Sequence, residues 1–274
     1  MEPLFPWYPS QLKLAGAVPV PVRMETPTAN GERFAFPVEG IRRAITPRTR
    51  VLIHNTPHNP TGAMATAEET ALLGQLCVEH NLICISDEVY HRHAFDGRPH
   101  LRISDEPGMQ ERTITINSAG KLLSCTGWRV GWFSGPKDLV AATNLYRGFT
   151  TYCAPSPLQM GVARALDELA VGSDANRDTM EANHKDLSAA LRARGLDVFG
   201  ADGGYFLVAS CAPLKVSAME YMRKLVEDCG VVCVPLAVFY ASEGGAAQDD
   251  GLLRFALCKT RAYVGQVCER LRKI

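Results

Sequence analysis

Three short apolar runs constrain this chain more than anything else in it. Residues 51–54, 82–85 and 113–116 each read as a strand, and each runs directly into a turn dense in polar side chains. The second and third are apolar at nearly every position, as in a sheet covered on both faces. Between the first two lies a helix-type stretch, residues 66–80, with Thr66 placed to cap it and Glu68 and Glu69 in its first turn. Alternation of such strands with helices predicts an α/β architecture around a mostly parallel sheet. In open sheets of that kind ligands bind just outside the carboxyl ends of the strands. The three polar turns are therefore expected to converge on one crevice.

A chain of 274 residues is long enough for one large domain or two modest ones. Before the first of these runs, residues 18–22 read as a further strand and residues 37–44 as a short helix. The character changes after Pro155 and Pro157. Long helices are expected at 158–171 and 177–194, then a Gly203-Gly204-Tyr205-Phe206 turn opening a strand that runs to 208. A helix at 217–228, strands at 231–235 and 252–257 and a final helix complete a smaller α+β unit. The division predicted is a large domain over residues 1–155 and a small C-terminal domain with an interdomain helix over residues 156–274.

Lys plus Arg equals Asp plus Glu at 29 each, so no global field draws nucleic acid or an anionic membrane. The longest apolar stretch, residues 230–241, is broken by Pro235 and too short to span a bilayer. Nine scattered cysteines, with no Cys-x-x-Cys pair, predict free thiols in a reducing compartment and no metal centre. With no basic-then-apolar leader at the first residues, a cytoplasmic protein is the expectation; a mitochondrial location stays open.

The turns carry a recognisable chemistry. After the first strand comes Asn55-Thr56-Pro57-His58-Asn59-Pro60-Thr61-Gly62; after the second, Ser86-Asp87-Glu88-Val89-Tyr90; after the third, Ser118-Ala119-Gly120-Lys121, with Arg129 eight residues on. A lysine, an acid, a tyrosine and an arginine at such addresses are the groups that hold pyridoxal 5'-phosphate (PLP). Lys121 would bond to the aldehyde and serve as base at the substrate Cα. Asp87 would keep the pyridine nitrogen protonated, since a buried acid paired with a cation stays ionised. Tyr90 and the Asn59 amide are placed to donate to the ring's O3' oxygen. Ser118 and Arg129 suit the phosphate, and Arg254, interrupting an apolar run, suits a substrate carboxylate. Each has a plainer reading alone: Asp87 as a helix cap, Asn59-Pro60-Thr61-Gly62 as a turn, Arg129 as a stem packed on Trp128 and Trp132, Arg254 as a solvent-facing group on an edge strand. Their joint occurrence in this order favours the cofactor site.

These segments, with Ser118 through Trp132 and Leu253-Arg254-Phe255, resemble the signatures of class I/II aminotransferases of PLP fold type I. Phe95-Asp96-Gly97, residues 111–116 and residues 234–240 are most similar to the kynurenine aminotransferase, glutamine transaminase K and cysteine-S-conjugate β-lyase subgroup. The resemblance implies a three-layer α/β/α large domain, truncated at its N-terminus relative to the family, plus a small α+β domain. It implies the same roles for Lys121, Asp87, Tyr90, Asn59, Ser118, Arg129 and Arg254, and adds Phe5 as the ring-stacking aromatic. It also implies a homodimer in which Tyr152 and Cys153 reach the partner's substrate pocket. The expected reaction is transfer of an amino group from an aromatic or sulfur-containing L-amino acid to a 2-oxo acid. β-Elimination from cysteine S-conjugates stays open as an alternative on the same residues, as does a product with little activity, because the family's N-terminal arm is not matched here.

Overall fold

The structure, a computed structural model, describes residues 1–169, 174–241 and 251–273. In chain order its helices and strands are α1 (Trp7–Leu14), α2 (Val38–Ala44), β1 (Val51–Asn55), α3 (Ala67–Glu79), β2 (Ile83–Asp87), β3 (Thr113–Ser118), α4 (Ala119–Leu122), β4 (Gly131–Ser134), α5 (Lys137–Phe149), α6 (Ser156–Leu169) and α7 (Ala175–Ala193), followed by β5 (Asp197–Val198), β6 (Phe206–Ser210), α8 (Ala218–Cys229), β7 (Val234–Pro235), β8 (Leu252–Ala256) and α9 (Arg261–Arg272). The last two residues of the helix expected at 158–171 lie outside the described residues. No helix among the described residues is long and apolar enough to cross a membrane.

The first sheet has the order β1-β2-β3-β4, with β1, β2 and β3 parallel and β4 antiparallel to β3. A parallel pair needs a crossover, and α3 supplies it between β1 and β2. A capping box starts that helix: the Glu69 N–H donates to Thr66 Oγ1 at 3.1 Å and the Thr66 N–H to Glu69 Oε2 at 2.7 Å. Such a cap contributes about 1 kcal/mol. Leu73, Leu76 and Cys77 form its buried stripe. The register pairs Asn55 with Asp87 and Asp87 with Ile116, so β1 and β2 end level and β3 runs two residues further, to Ser118. Their following turns open along one edge, which is what places the polar motifs together.

The second sheet, β5-β6-β8-β7, is antiparallel throughout. Its strand β8 is interior, not at an edge. The two sheets share their packing: Phe34, Phe36, Leu73, Leu76 and Leu82 lie in one buried cluster with Phe199, Val208, Leu236 and Leu252. Single bridges join Arg33 to Gly200 and Ala94 to Gly203. A Cβ at Gly203 would collide with the His93 carbonyl, so the close approach there requires glycine.

Residues 18–22 depart from expectation. They form no strand, and just past them Arg23 makes a single parallel bridge to Glu2. Their Val-Pro alternation has β-type residues, yet Pro19 and Pro21 carry no N–H for a ladder. Val18, Val20 and Val22 instead line a cleft of about 570 Å³ together with Val51, Leu52 and Ile53 of β1.

Burial leaves several histidines uncharged. His54, on β1, is fully buried with neither ring nitrogen hydrogen-bonded, and burial pulls it from the usual 6.5 to about 4. Burial takes His58 to about 3 and His184 to about 4. The unfolded chain takes up these protons near pH 6.5, whereas the folded chain does so only near pH 4 or below. Stability is therefore complete above pH 6.5 and declines as pH falls through that window, with His54 accounting for roughly 3 kcal/mol. His54→Leu removes the two orphan nitrogens; its urea midpoint should fall less than that of the wild type between about pH 7 and about pH 4.5.

Candidate active site

Asp87 closes β2 at the carboxyl edge of the parallel strands. Its backbone is fixed by two bonds to its carbonyl oxygen, from Asn55 Nδ2 at 2.9 Å and from the Thr56 N–H at 3.2 Å. Its carboxylate accepts the Tyr8 hydroxyl on Oδ2 and the Val89 N–H on Oδ1 at 3.4 Å. Burial pushes the carboxyl group up; the Tyr8 and Val89 donors and the charge of Lys121 pull it back. An acid in this setting is poised to be ionised by a cation placed against it.

Lys121 sits in α4, the single turn of helix that follows β3. That turn is tight: a Cβ on Gly120 would lie 3.0 Å from Thr126 Cα and 3.4 Å from Ser118 Oγ. The Lys121 ammonium forms no hydrogen bond or ion pair among the described residues and lies 6.0 Å from the centre of the Tyr205 ring. The Tyr205 hydroxyl donates to the Lys121 carbonyl oxygen at 2.5 Å. The residue just before β6 therefore holds the main chain of the lysine turn.

Tyr90 is buried, its ring 5.0 Å from that of Tyr205 and 6.3 Å from that of Phe206. Burial and the Asp87 charge raise its hydroxyl well above the usual tyrosine range, so it remains a donor. Asn59 is also buried; its N–H donates to Asn55 Oδ1 at 2.8 Å and its Oδ1 accepts from Arg254 Nη1 at 3.1 Å. The Asn59 Nδ2 group then has donors to offer. Arg254, on β8, has its guanidinium 4.0 Å from the Phe206 ring centre and 4.3 Å from that of Phe239. Among the described residues it makes no ion pair, and burial lowers it from 12.5 to about 10. A half-buried guanidinium without a carboxylate is a ready site for one.

Three further candidates lie nearby. Ser118 ends β3 beside Gly120, half-buried. Arg129 has a left-handed backbone (φ 55°) next to Val130, whose carbonyl accepts the Ala119 N–H, but the side chain is exposed and donates to the Thr126 carbonyl at 3.4 Å. Phe5 packs edge-on against Tyr8, with ring centres 5.4 Å apart. Tyr152 stands apart: it is 75% exposed beyond the C-terminus of α5 with φ 56°, and Cys153 beside it is exposed.

Two residues of the crevice, Tyr8 and Tyr205, carried no motif in the sequence. For Tyr205 a signal did exist: Gly203 and Gly204 precede it, and Gly204 has φ 84°, marking a tight turn aimed at something. Tyr8 had only its place three residues after Phe5.

Residues 1–271 match the family model described as "Aminotransferase class I and II". The chain is 38% identical over 277 residues to "Probable N-succinyldiaminopimelate aminotransferase DapC" of Mycobacterium tuberculosis, covering 99% of this chain and 69% of that protein. It is 31% identical over 299 residues to "Kynurenine--oxoglutarate transaminase 1" of Rattus norvegicus, covering 100% of this chain and 70% of that protein. Among solved structures, the N-succinyldiaminopimelate aminotransferase of Mycobacterium tuberculosis superposes with a TM-score of 0.91 at 38% identity, over 98% of this chain and 69% of that one. Bna3p, "a Putative Kynurenine Aminotransferase from Saccharomyces cerevisiae", superposes with a TM-score of 0.92 at 30% identity, over 99% and 69%. The mostly parallel sheet, the acid and lysine at its edge and these matches agree: the chain belongs to the class I and II aminotransferases and has their fold.

Proposed function

We propose that the protein binds PLP between Asp87 and Lys121 and moves an amino group from an aromatic or sulfur-containing L-amino acid to a 2-oxo acid. The observation that carries this reading is the placing of two cations that form no ion pair among the described residues, Lys121 and Arg254, with the buried acid Asp87 among the rings of Tyr90, Tyr205 and Phe206. The residues fit the cofactor by their donor set: an acid for the ring nitrogen, hydroxyl and amide donors for O3', and a lysine in a turn where a Cβ at Gly120 would crowd the Thr126 main chain at 3.0 Å. Bound there, PLP supplies an electron-withdrawing ring and an aldehyde carbon that receives the amino group.

The chain's own groups do the rest. Lys121 Nζ would hold the cofactor's aldehyde carbon and, when free, would take up the substrate's Cα proton. Asp87 would set its negative charge against the ring nitrogen. Tyr90 and Asn59 would donate to O3', Ser118 and Arg129 would hold the phosphate, and Phe5 would lie against the ring. Arg254 takes the substrate α-carboxylate, with Asn59 fixing the guanidinium and Phe206 and Phe239 excluding water from it. The reading includes a homodimer in which Tyr152 reaches the neighbouring substrate pocket. Exposed Leu145, Tyr146 and Phe149 on α5 support an apolar contact of that kind.

The aromatic faces around Arg254 and the kynurenine transaminases among the relatives support the donor class. A second reading, an N-succinylated diamino acid as donor, is favoured by the 38% identity to the mycobacterial protein. Titration with PLP, then turnover with kynurenine, methionine and N-succinyldiaminopimelate against 2-oxoglutarate, separates them. Saturable binding with faster turnover of the first two supports the proposal. Turnover of the third alone selects the second reading, and no binding or transfer overturns both. In the same assay Arg254→Lys, which loses the bidentate fork, should raise KM for the donor by roughly 10- to 100-fold with a smaller change in kcat.

A further inference from the structure

We propose that Tyr8 is a positioning residue for Asp87, clamping one carboxylate oxygen so that the other stays directed at the ring nitrogen of the bound cofactor. The proposal rests on the functional reading above for its cofactor half; its protein half stands on geometry alone.

Tyr8 and Asp87 are 79 positions apart, and their hydroxyl-to-Oδ2 bond is the main side-chain contact of the acid. The other donor, the Val89 N–H, is 3.4 Å from Oδ1, at the weak end of the range. The tyrosine is itself held firmly. It lies in the first turn of α1, its N–H donates to the Phe5 carbonyl at 3.1 Å, and its ring meets that of Phe5 edge-on. The Asp87 main chain is pinned from Asn55 and Thr56. The carboxylate thus sits between a fixed backbone and a fixed donor, which sets the plane of the group.

The electrostatics suit a permanent donor. Burial and the Asp87 charge raise the Tyr8 hydroxyl well above its usual range, so it does not ionise under working conditions. It holds its proton and lends only a hydrogen bond. That bond opposes the burial that drives Asp87 toward its protonated form. Without it the carboxylate would retain one long N–H bond and be free to rotate. One segment, Phe5 to Tyr8, would then serve the cofactor twice: Phe5 against the ring face and Tyr8 behind the acid at its edge.

The test is Tyr8→Phe, which keeps the ring packed on Phe5 and deletes the hydroxyl, with Tyr8→His as a variant that restores a donor. Difference infrared titration of the cofactor-free protein reads Asp87 protonation directly. Its midpoint should rise by about one pH unit or more in Tyr8→Phe and return toward the wild-type value in Tyr8→His. In parallel, the PLP dissociation constant of Tyr8→Phe should increase by about 10-fold or more. An unchanged midpoint overturns the proposal. So does tighter PLP binding by Tyr8→Phe, which would make the hydroxyl a competitor of the cofactor. Failure of the wild type itself to bind PLP overturns the functional reading and the cofactor half of the proposal with it. The infrared shift then still decides whether Tyr8 governs the charge of Asp87.

Discussion

On the proposed function, Lys121→Ala should lower kcat/KM for amino transfer by about 10⁴-fold or more, because it would remove both the covalent anchor and the base at the substrate Cα. The loss should be chemical and not structural. The Lys121 ammonium makes no hydrogen bond or ion pair among the described residues, while its main-chain carbonyl, bound by Tyr205, is untouched by the substitution. Its melting temperature should therefore stay close to that of the wild type. Steady-state turnover checks the first expectation. Absorption spectra of the PLP-loaded variant check the second: the visible band due to the lysine linkage should disappear. A visible band that persists without added amine would remove Lys121 from this role.

Asp87→Asn should act through the cofactor. Removing one partner of a buried charge pair costs about 3–5 kcal/mol, so the PLP dissociation constant should increase by roughly 10² to 10³-fold or more. Stability should move in the opposite direction. Burial raises the carboxyl group above its usual 3.8, so the folded state binds its proton more tightly than the unfolded one. Stability is thus lost as pH rises from 3.8 through the raised folded value, so the ionised carboxylate is a cost to the cofactor-free fold above that range. An amide carries no such penalty. The cofactor-free variant should melt at or above the wild-type temperature at pH 7 while binding PLP far more weakly. A variant that binds PLP as well as the wild type would show that Asp87 does not face the ring.

What was legible in the sequence is what a short stretch of chain determines. Asp87 and Lys121 are legible because one ends a strand and the other follows one, and neighbouring parallel strands bring such positions to one edge whatever the remainder of the fold does. The helix at Ala67–Glu79 announced itself through Thr66 and Glu69, a local cap. Residues 18–22 were misread because residue preference favours a strand there while proline denies it the hydrogen bonds. The setting of Arg254 was beyond local reading: its rings come from β6 and from Phe239, and its amide partner is 195 positions away. Tyr8 and Tyr205 reach the site across 79 and 84 positions, a distance at which no periodicity carries information. Exposure of the Arg129 side chain likewise depends on how its turn folds over α4 and not on the flanking tryptophans.

The shared packing of the two sheets bears on how such a chain can diversify. Phe34 meets Phe199 edge-on, Asn30 reaches Asp197 and the Val198 N–H, and Asp202 holds Arg98 and the Met64 N–H. Those partners sit on opposite sides of residue 155, so the halves are not interchangeable cassettes. Recombination between relatives near that point would pair first halves with second halves that never packed together, leaving misfitted rings and buried charges without partners. If Arg254 holds the substrate carboxylate as proposed, single substitutions around it would alter specificity with less damage to the fold than exchange of whole segments.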